Sequence, residues 1–182
     1  NKIGKALVLL ANDPRYPGLN SHEISSLKAR YGQKVWESYL ENNYAHQMNP
    51  AKLIVLDMKD ERLEKAREFG ADIVINPGRE DAVKKIQDLT DGYGCDIYIE
   101  ATGHPSSVIQ GLQAIRKLGT FVEFSVFAEP TTVDWTLIGD NKELNILGSH
   151  LSPYCYPYVI RNIADGTLKT DNVVSRYFDL EN

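Results

Sequence analysis

The feature that most constrains this chain is an alternation of short apolar runs with amphipathic stretches, beginning at Asn49. "AKLIVLD" (51–57) is a β-branched run, read as a strand buried on both faces. "KDERLEKAREFG" follows, with Leu63, Ala66 and Phe69 on one helical face and Gly70 as a stop. "ADIVINP" is the next strand, closed by Pro77, and "REDAVKKIQDLTDGYG" places Ala82, Val83, Ile86 and Leu89 on one helical stripe. "CDIYIEATG" reads as a strand running into a glycine turn. "HPSSVIQGLQAIRKLG" predicts a helix with Val108, Leu112 and Ile115 inward, stopped at Gly119, and "TFVEFSV" a strand. An extended piece, a turn at "IGDN", the strand "LNILGS" and a helix in "PYVIRNIADGTL" complete the pattern. Strands separated by helices of this length imply crossover connections, a parallel sheet and helices on both faces.

Residues 1–46 break the rhythm. Ile3, Ala6, Leu7 and Leu10 recur at helical spacing, and "SHEISSLKARYGQKVWESYLENN" alternates like a hairpin turning at "ARYGQ". The expected organisation is a small α-ββ segment over 1–46 and an α/β unit over 47–182. The stretch "LVLLANDPRYPGLNS" holds a single glycine, Gly18, where a phosphate loop needs three at fixed spacing. It is read as the end of an amphipathic helix, with "ALVLL" alternatively drawn into a strand position beside Leu53–Leu56.

Composition narrows the function classes. The net charge of −5 leaves no global basic footprint for nucleic acid, although the first 46 residues carry six Lys/Arg against four Asp/Glu. No apolar run approaches a membrane span, and no small-residue cleavage site follows the apolar run near the start. Two cysteines are too few for a disulfide framework and point to a reducing compartment, read as the cytoplasm.

Asp57 ends the strand "LIVLD". An acid there can accept hydrogen bonds from the adenosine ribose of a dinucleotide and repel a 2′-phosphate; it can equally be a solvated strand end or a helix cap. Arg62 can reach the same ribose or lie exposed on its helix. "EATGHP" ends a strand in a turn where Gly103 lets the backbone approach a ligand, or simply makes a tight turn. "FSVF" and "LGSHL" end strands at the same carboxyl edge. His104, His150, Cys95 and Cys155 show no metal-ligand spacing, and neither a P-loop nor a nucleophile elbow occurs.

The stretches "NPAKLIVLDMKDERLEKAREFGADIVINP", "LTDGYGCDIYIEATGHPSSVIQGL", "IRKLGTFVEFSVF" and "TVDWTLIGDNKELNILGSHLSPYCYP" closely resemble the medium-chain, zinc-dependent dehydrogenases, in the polyol branch that includes sorbitol, threitol and erythritol dehydrogenases. The resemblance runs from about Asn49 to Asn182. It implies an incomplete Rossmann-like sheet binding NAD(H). Asp57 matches the ribose-binding acid and Arg62 the basic residue after it. Ala101, Thr102 and Gly103 match the turn beside the cofactor, and Ser125, Val126 and Ser149 match strand ends lining the nicotinamide.

Two departures shape the expected function. The family's zinc ligands belong to a catalytic domain not found in this sequence, so zinc is expected for the family without ligands here. "ENNYAHQM" stands where the first strand and its G-x-G-x-x-G loop belong, so NAD binding is expected to be weak or lost. The chain is therefore read as a cofactor-binding portion inactive alone, needing a catalytic domain in trans to act on a polyol. The alternatives are a non-catalytic interaction module, self-pairing through an exposed sheet edge, and a toxin-like RNA binder. The last rests on "LLANDPRYPGLNSHEISSLKARYGQKVWESYLENN", which resembles the front of a RelE/ParE-like toxin without its catalytic continuation; Arg15, Lys28 and Arg30 would be its RNA contacts, or merely solvated.

Overall fold

The computed structural model describes the backbone of residues 5–10 and residues 50–149 and 156–170 in full. Among the described residues six strands form one sheet in the order β3-β2-β1-β4-β5-β6. They are β1 (Lys5–Leu10), β2 (Lys52–Leu56), β3 (Ile73–Ile75), β4 (Cys95–Ala101), β5 (Ile115–Glu123) and β6 (Asn145–Gly148). The helices are α1 (Asp60–Glu68), α2 (Ala82–Asp88), α3 (Pro105–Ala114) and α4 (Tyr156–Ala164), with one π-helical turn at Leu137–Asn141.

The β2 run explains the layering. Successive side chains of a strand point to opposite faces. Ile54 and Leu56 join a core with Ala82 and Ile86 of α2 and Leu112 of α3. Leu53 and Val55 join a second core with Ala66 of α1 and Ile99. Helices therefore cover both faces, as the sequence pattern requires. Asp81 caps α2 by accepting from Lys84 N at 3.0 Å. Gly70, at φ +96°, turns the chain out of α1.

The main correction concerns the N-terminal run. Lys5–Leu10 is a strand, not a helix, and it occupies the position beside Leu53–Leu56. It pairs antiparallel with β2 (Leu7 opposite Val55) and antiparallel with β4 (Leu7 opposite Ile99). All other pairings are parallel, so the sheet is mixed. Five consecutive apolar residues, Ala6–Leu10, satisfy a helical stripe and a doubly buried strand equally well. The tertiary context decides between them: the facing edges of β2 and β4 carry backbone N–H and C=O groups that need partners. Leu10 ends opposite Lys52, at the edge from which β2 starts. The expected hairpin over 21–43 and the toxin-like stretch beyond Leu10 lie outside the described residues.

A second difference lies at the end of α3, which stops at Ala114 rather than Gly119. Ile115 is already extended (φ −73°, ψ 143°) and pairs with Cys95, whereas Ile97 pairs with Thr120, so a wide bulge separates the two. Leu118, at φ +58°, marks the bend. Buried Arg116 anchors it by donating to Asp96 Oδ1 at 2.7 Å. Lys142 Nζ closes the helix end, donating to the carbonyls of Leu112 (2.7 Å), Gln113 (2.8 Å) and Ile115 (2.7 Å).

Candidate functional site at the carboxyl edge of the sheet

Asp57 follows β2 and is 4 % exposed, which excludes the solvated strand end. Its Oδ1 accepts from Lys59 N at 2.8 Å, so half of the carboxylate does serve the entry to α1. Its Oδ2 is buried and has no hydrogen-bond partner among the described residues. The guanidinium of Arg62, 15 % exposed at its side chain, lies 3.5 Å from Oδ2. Arg62 is thus folded back onto the acid rather than lying on the solvent face of α1. A buried carboxylate oxygen with an unused acceptor site fits a ligand hydroxyl, because leaving it unfilled costs desolvation without return.

The other strand ends are tied together by a residue that the motif reading passed over. Glu100 is fully buried. It accepts from Thr102 N at 2.9 Å, from the Thr102 hydroxyl, from Gly103 N at 3.2 Å and from Ser125 Oγ at 2.6 Å. The signal was present in "IYIEATG": a glutamate near the end of an otherwise apolar strand in a sheet expected to carry helices on both faces must find donors. Glu100 thereby brings Thr102, Gly103 and Ser125 together. Gly103 sits at φ +69°, and a Cβ there would lie 2.7 Å from the Val126 carbonyl oxygen. Val126 contributes that backbone contact while its side chain points outward, 68 % exposed. Ala101 closes β4 opposite Lys5. Ser149 N donates to Glu123 O at 2.9 Å, fixing the end of β6 against β5.

Glu123 stands beside Glu100 in register. Its Oε1 is buried without a hydrogen-bond partner among the described residues. Burial pushes its carboxyl pKa up, the Ser125 backbone opposes this, and the Glu100 charge adds to the rise. Asp57 and Arg62 lie at the β2 end; the residues from Ala101 to Ser149 lie at the β4, β5 and β6 ends, with β1 between the two groups.

A groove of about 380 Å³ lined by Asp60, Glu64, Arg67, Asn76 and Arg79 lies on the flank of α1 and includes none of the strand-end residues just described. Its polar groups are largely used internally, since Asn76 Nδ2 donates to Asp60 Oδ1 at 2.8 Å and Arg79 pairs with Asp60.

Among the described residues no group of three or more His, Cys, Asp or Glu is placed to hold a metal. His104 is the N-cap of α3, its Nδ1 receiving Ser106 N at 3.2 Å. Cys95 starts β4 at the opposite edge, fully buried, with burial raising its thiol pKa. His150 and Cys155 lie outside the described residues. The described side chains do not fit a catalytic zinc.

Residues 42–165 match the family model described as zinc-binding dehydrogenase. The chain belongs to the zinc-binding dehydrogenase family. Within that family it is 50 % identical over 132 residues to the erythritol/L-threitol dehydrogenase of Mycolicibacterium smegmatis, covering 72 % of this chain and 36 % of that protein. It is 36 % identical over 129 residues to the L-threonine 3-dehydrogenase of Pyrococcus horikoshii, covering 69 % of this chain and 37 % of the other. Among solved structures, zinc dependent alcohol dehydrogenase 2 from Streptococcus pneumonia superposes with a TM-score of 0.70 at 32 % identity, over 78 % of this chain and 41 % of that one. This zinc-binding dehydrogenase chain thus spans little more than a third of the curated relatives it matches. The part it spans is a Rossmann-like cofactor-binding domain, with a mixed sheet owing to β1. The toxin resemblance of the first 43 residues receives no support from these matches.

Proposed function

We propose that this domain receives the adenosine ribose of NAD(H) at Asp57, as the cofactor-binding portion of a polyol dehydrogenase. The observation that carries this reading is the buried, unfilled Oδ2 of Asp57 at the carboxyl end of β2. In the bound state a ribose hydroxyl donates to Oδ2, and Arg62 at 3.5 Å offsets part of the carboxylate's buried charge. The same carboxylate disfavours a 2′-phosphate, which selects NAD over NADP.

On the other side of β1, Ala101, Thr102 and Gly103 form a floor held rigid by Glu100. Ser125, Val126 and Ser149 present backbone groups toward the nicotinamide half. NAD supplies the hydride acceptor when bound; this chain's residues orient it and keep its ribose fixed. Polyol oxidation belongs to the longer enzyme. A small polyol is its substrate class by analogy with the erythritol/L-threitol relative.

Titration calorimetry of the chain with NAD tests the reading. Saturable heat that is lost in Asp57→Asn supports it. An absence of heat at millimolar NAD and at millimolar adenosine rejects it.

A further inference from the structure

We infer that Lys5 is the diphosphate-binding residue of this edge: the reversed polarity of β1 puts a cation where a first strand ordinarily hands over to a glycine-rich loop. The inference rests on the reading of Asp57 as the adenosine ribose acceptor, which fixes one end of the dinucleotide.

The strand order sets the path of the ligand. β1 lies between β2, which ends just before Asp57, and β4, which ends at Ala101 before the Thr102–Gly103 turn. Neighbouring strands are about 4.8 Å apart, so the ends of β2 and β4 stand about 10 Å from each other. With the adenosine ribose at β2 and the nicotinamide half at the ends of β4, β5 and β6, the diphosphate that joins them crosses the end of β1.

The register sets which residue stands there. β1 is antiparallel to both neighbours, with Ala6 opposite Leu56 on one side and Glu100 on the other. Lys5 is therefore the β1 residue at the carboxyl edge. It stands opposite Ala101, and one further step of the β2 register brings it level with Asp57. A parallel first strand would bring its last residue and the following loop to this position, where the loop amides meet the phosphates. The antiparallel strand brings a lysine instead, a compact cation suited to phosphate oxygens.

The acids described on either side of this position are already held. Asp57 accepts from Lys59 N and faces Arg62 at 3.5 Å. Asp60 accepts from Asn76 Nδ2 and pairs with Arg79. Both carboxylate oxygens of buried Glu100 are taken by Thr102, Gly103 and Ser125. Around the start of α1, Lys59, Arg62 and Arg79 balance Asp57, Asp60 and Glu61. The charge that Lys5 adds at the end of β1 then favours an anion, most strongly at low ionic strength.

Dissociation constants of the full chain for adenosine, ADP and NAD, at low and at moderate salt, test this in the native sequence, Lys5→Gln and Lys5→Arg. ADP and NAD should bind at least about fivefold tighter than adenosine at low salt, with the advantage shrinking as salt is added. Lys5→Gln should erase that advantage and leave adenosine binding unchanged, whereas Lys5→Arg should keep it. An advantage that survives in Lys5→Gln assigns the phosphates to other cations, Lys59, Arg62 or Arg79 among them, and overturns the inference. An advantage that is absent or indifferent to salt in the native sequence also overturns it, and that result needs no folded variant. Tighter binding of adenosine in Lys5→Gln would mark Lys5 as a counter-ion of Asp57 and overturn it as well. Adenosine binding that is absent, or unchanged in Asp57→Asn, rejects the ribose reading instead; ADP binding that still depends on Lys5 would then leave the phosphate assignment standing.

Discussion

At the residue scale, the site rests on two acids that use their oxygens differently. Asp57 keeps one oxygen for its own chain and one unfilled, whereas Glu100 commits both. Glu100→Ala should therefore be a stability variant. It strips acceptors from Thr102 N, Gly103 N and Ser125 Oγ, and should cost about 3 kcal/mol, read as a lowered urea midpoint. Gly103→Ala meets the Val126 carbonyl oxygen at a positive φ, with an expected loss of about 1–3 kcal/mol. Glu123 predicts a pH dependence of stability. Its pKa is raised in the folded state, so the folded protein holds that proton more tightly than the unfolded chain. Stability then falls as pH rises from the ordinary carboxylate value through the raised one, and the full cost is present at neutral pH. Glu123→Gln should raise the thermal midpoint at neutral pH, with the difference shrinking as the solution is acidified through that window. A constant difference across pH would assign the effect to packing instead. Asp57 was legible from its place after a β-branched run. Glu100 carried a signal in "IYIEATG" that the motif reading passed over, whereas the role of Glu123 depends on which strands become neighbours.

At the element scale, β1 is the piece on which the rest of the sheet depends. It bonds on both sides, to β2 and to β4. Val8→Pro removes a ladder donor and forces a ring into the centre of the sheet; a loss of at least about 3 kcal/mol is expected, with failure to fold in a marginal background. Circular dichroism and denaturant titration would read it, and a native-like midpoint would contradict the assignment of Lys5–Leu10 as a central strand. The bulge in β5 offers a second test. Asp96→Ala leaves Arg116 without its carboxylate partner inside the fold, and about 3–5 kcal/mol of destabilisation is expected. Both elements mark where sequence reasoning stops. β2, β3, β4, β6 and the part of β5 after Gly119 were legible as short apolar runs bounded by turn residues. Ala6–Leu10 fits two periods, and the choice belongs to the empty place between β2 and β4. The early end of α3 was hidden similarly, since Ile115 suits the helix stripe locally but Lys142, 27 residues later, supplies the cap that ends the helix.

At the scale of the whole molecule, two cores on opposite faces of one sheet identify the layered architecture that the βα rhythm foretold. Among the described residues no helix is long and apolar enough to cross a membrane. The polarity of β1 separates two properties that a first strand ordinarily delivers together. A central slot in a sheet selects for composition: a run of apolar residues with regular amides will fill it in either direction. Recognition of a ligand at the sheet's edge selects for direction, because only one end of each strand faces the cleft. A strand of either polarity can thus complete the scaffold of the sheet, whereas what it offers a ligand at the edge depends on its direction. Screens that select for solubility or expression of such domains would retain both polarities, and only a direct assay of ligand binding would tell them apart.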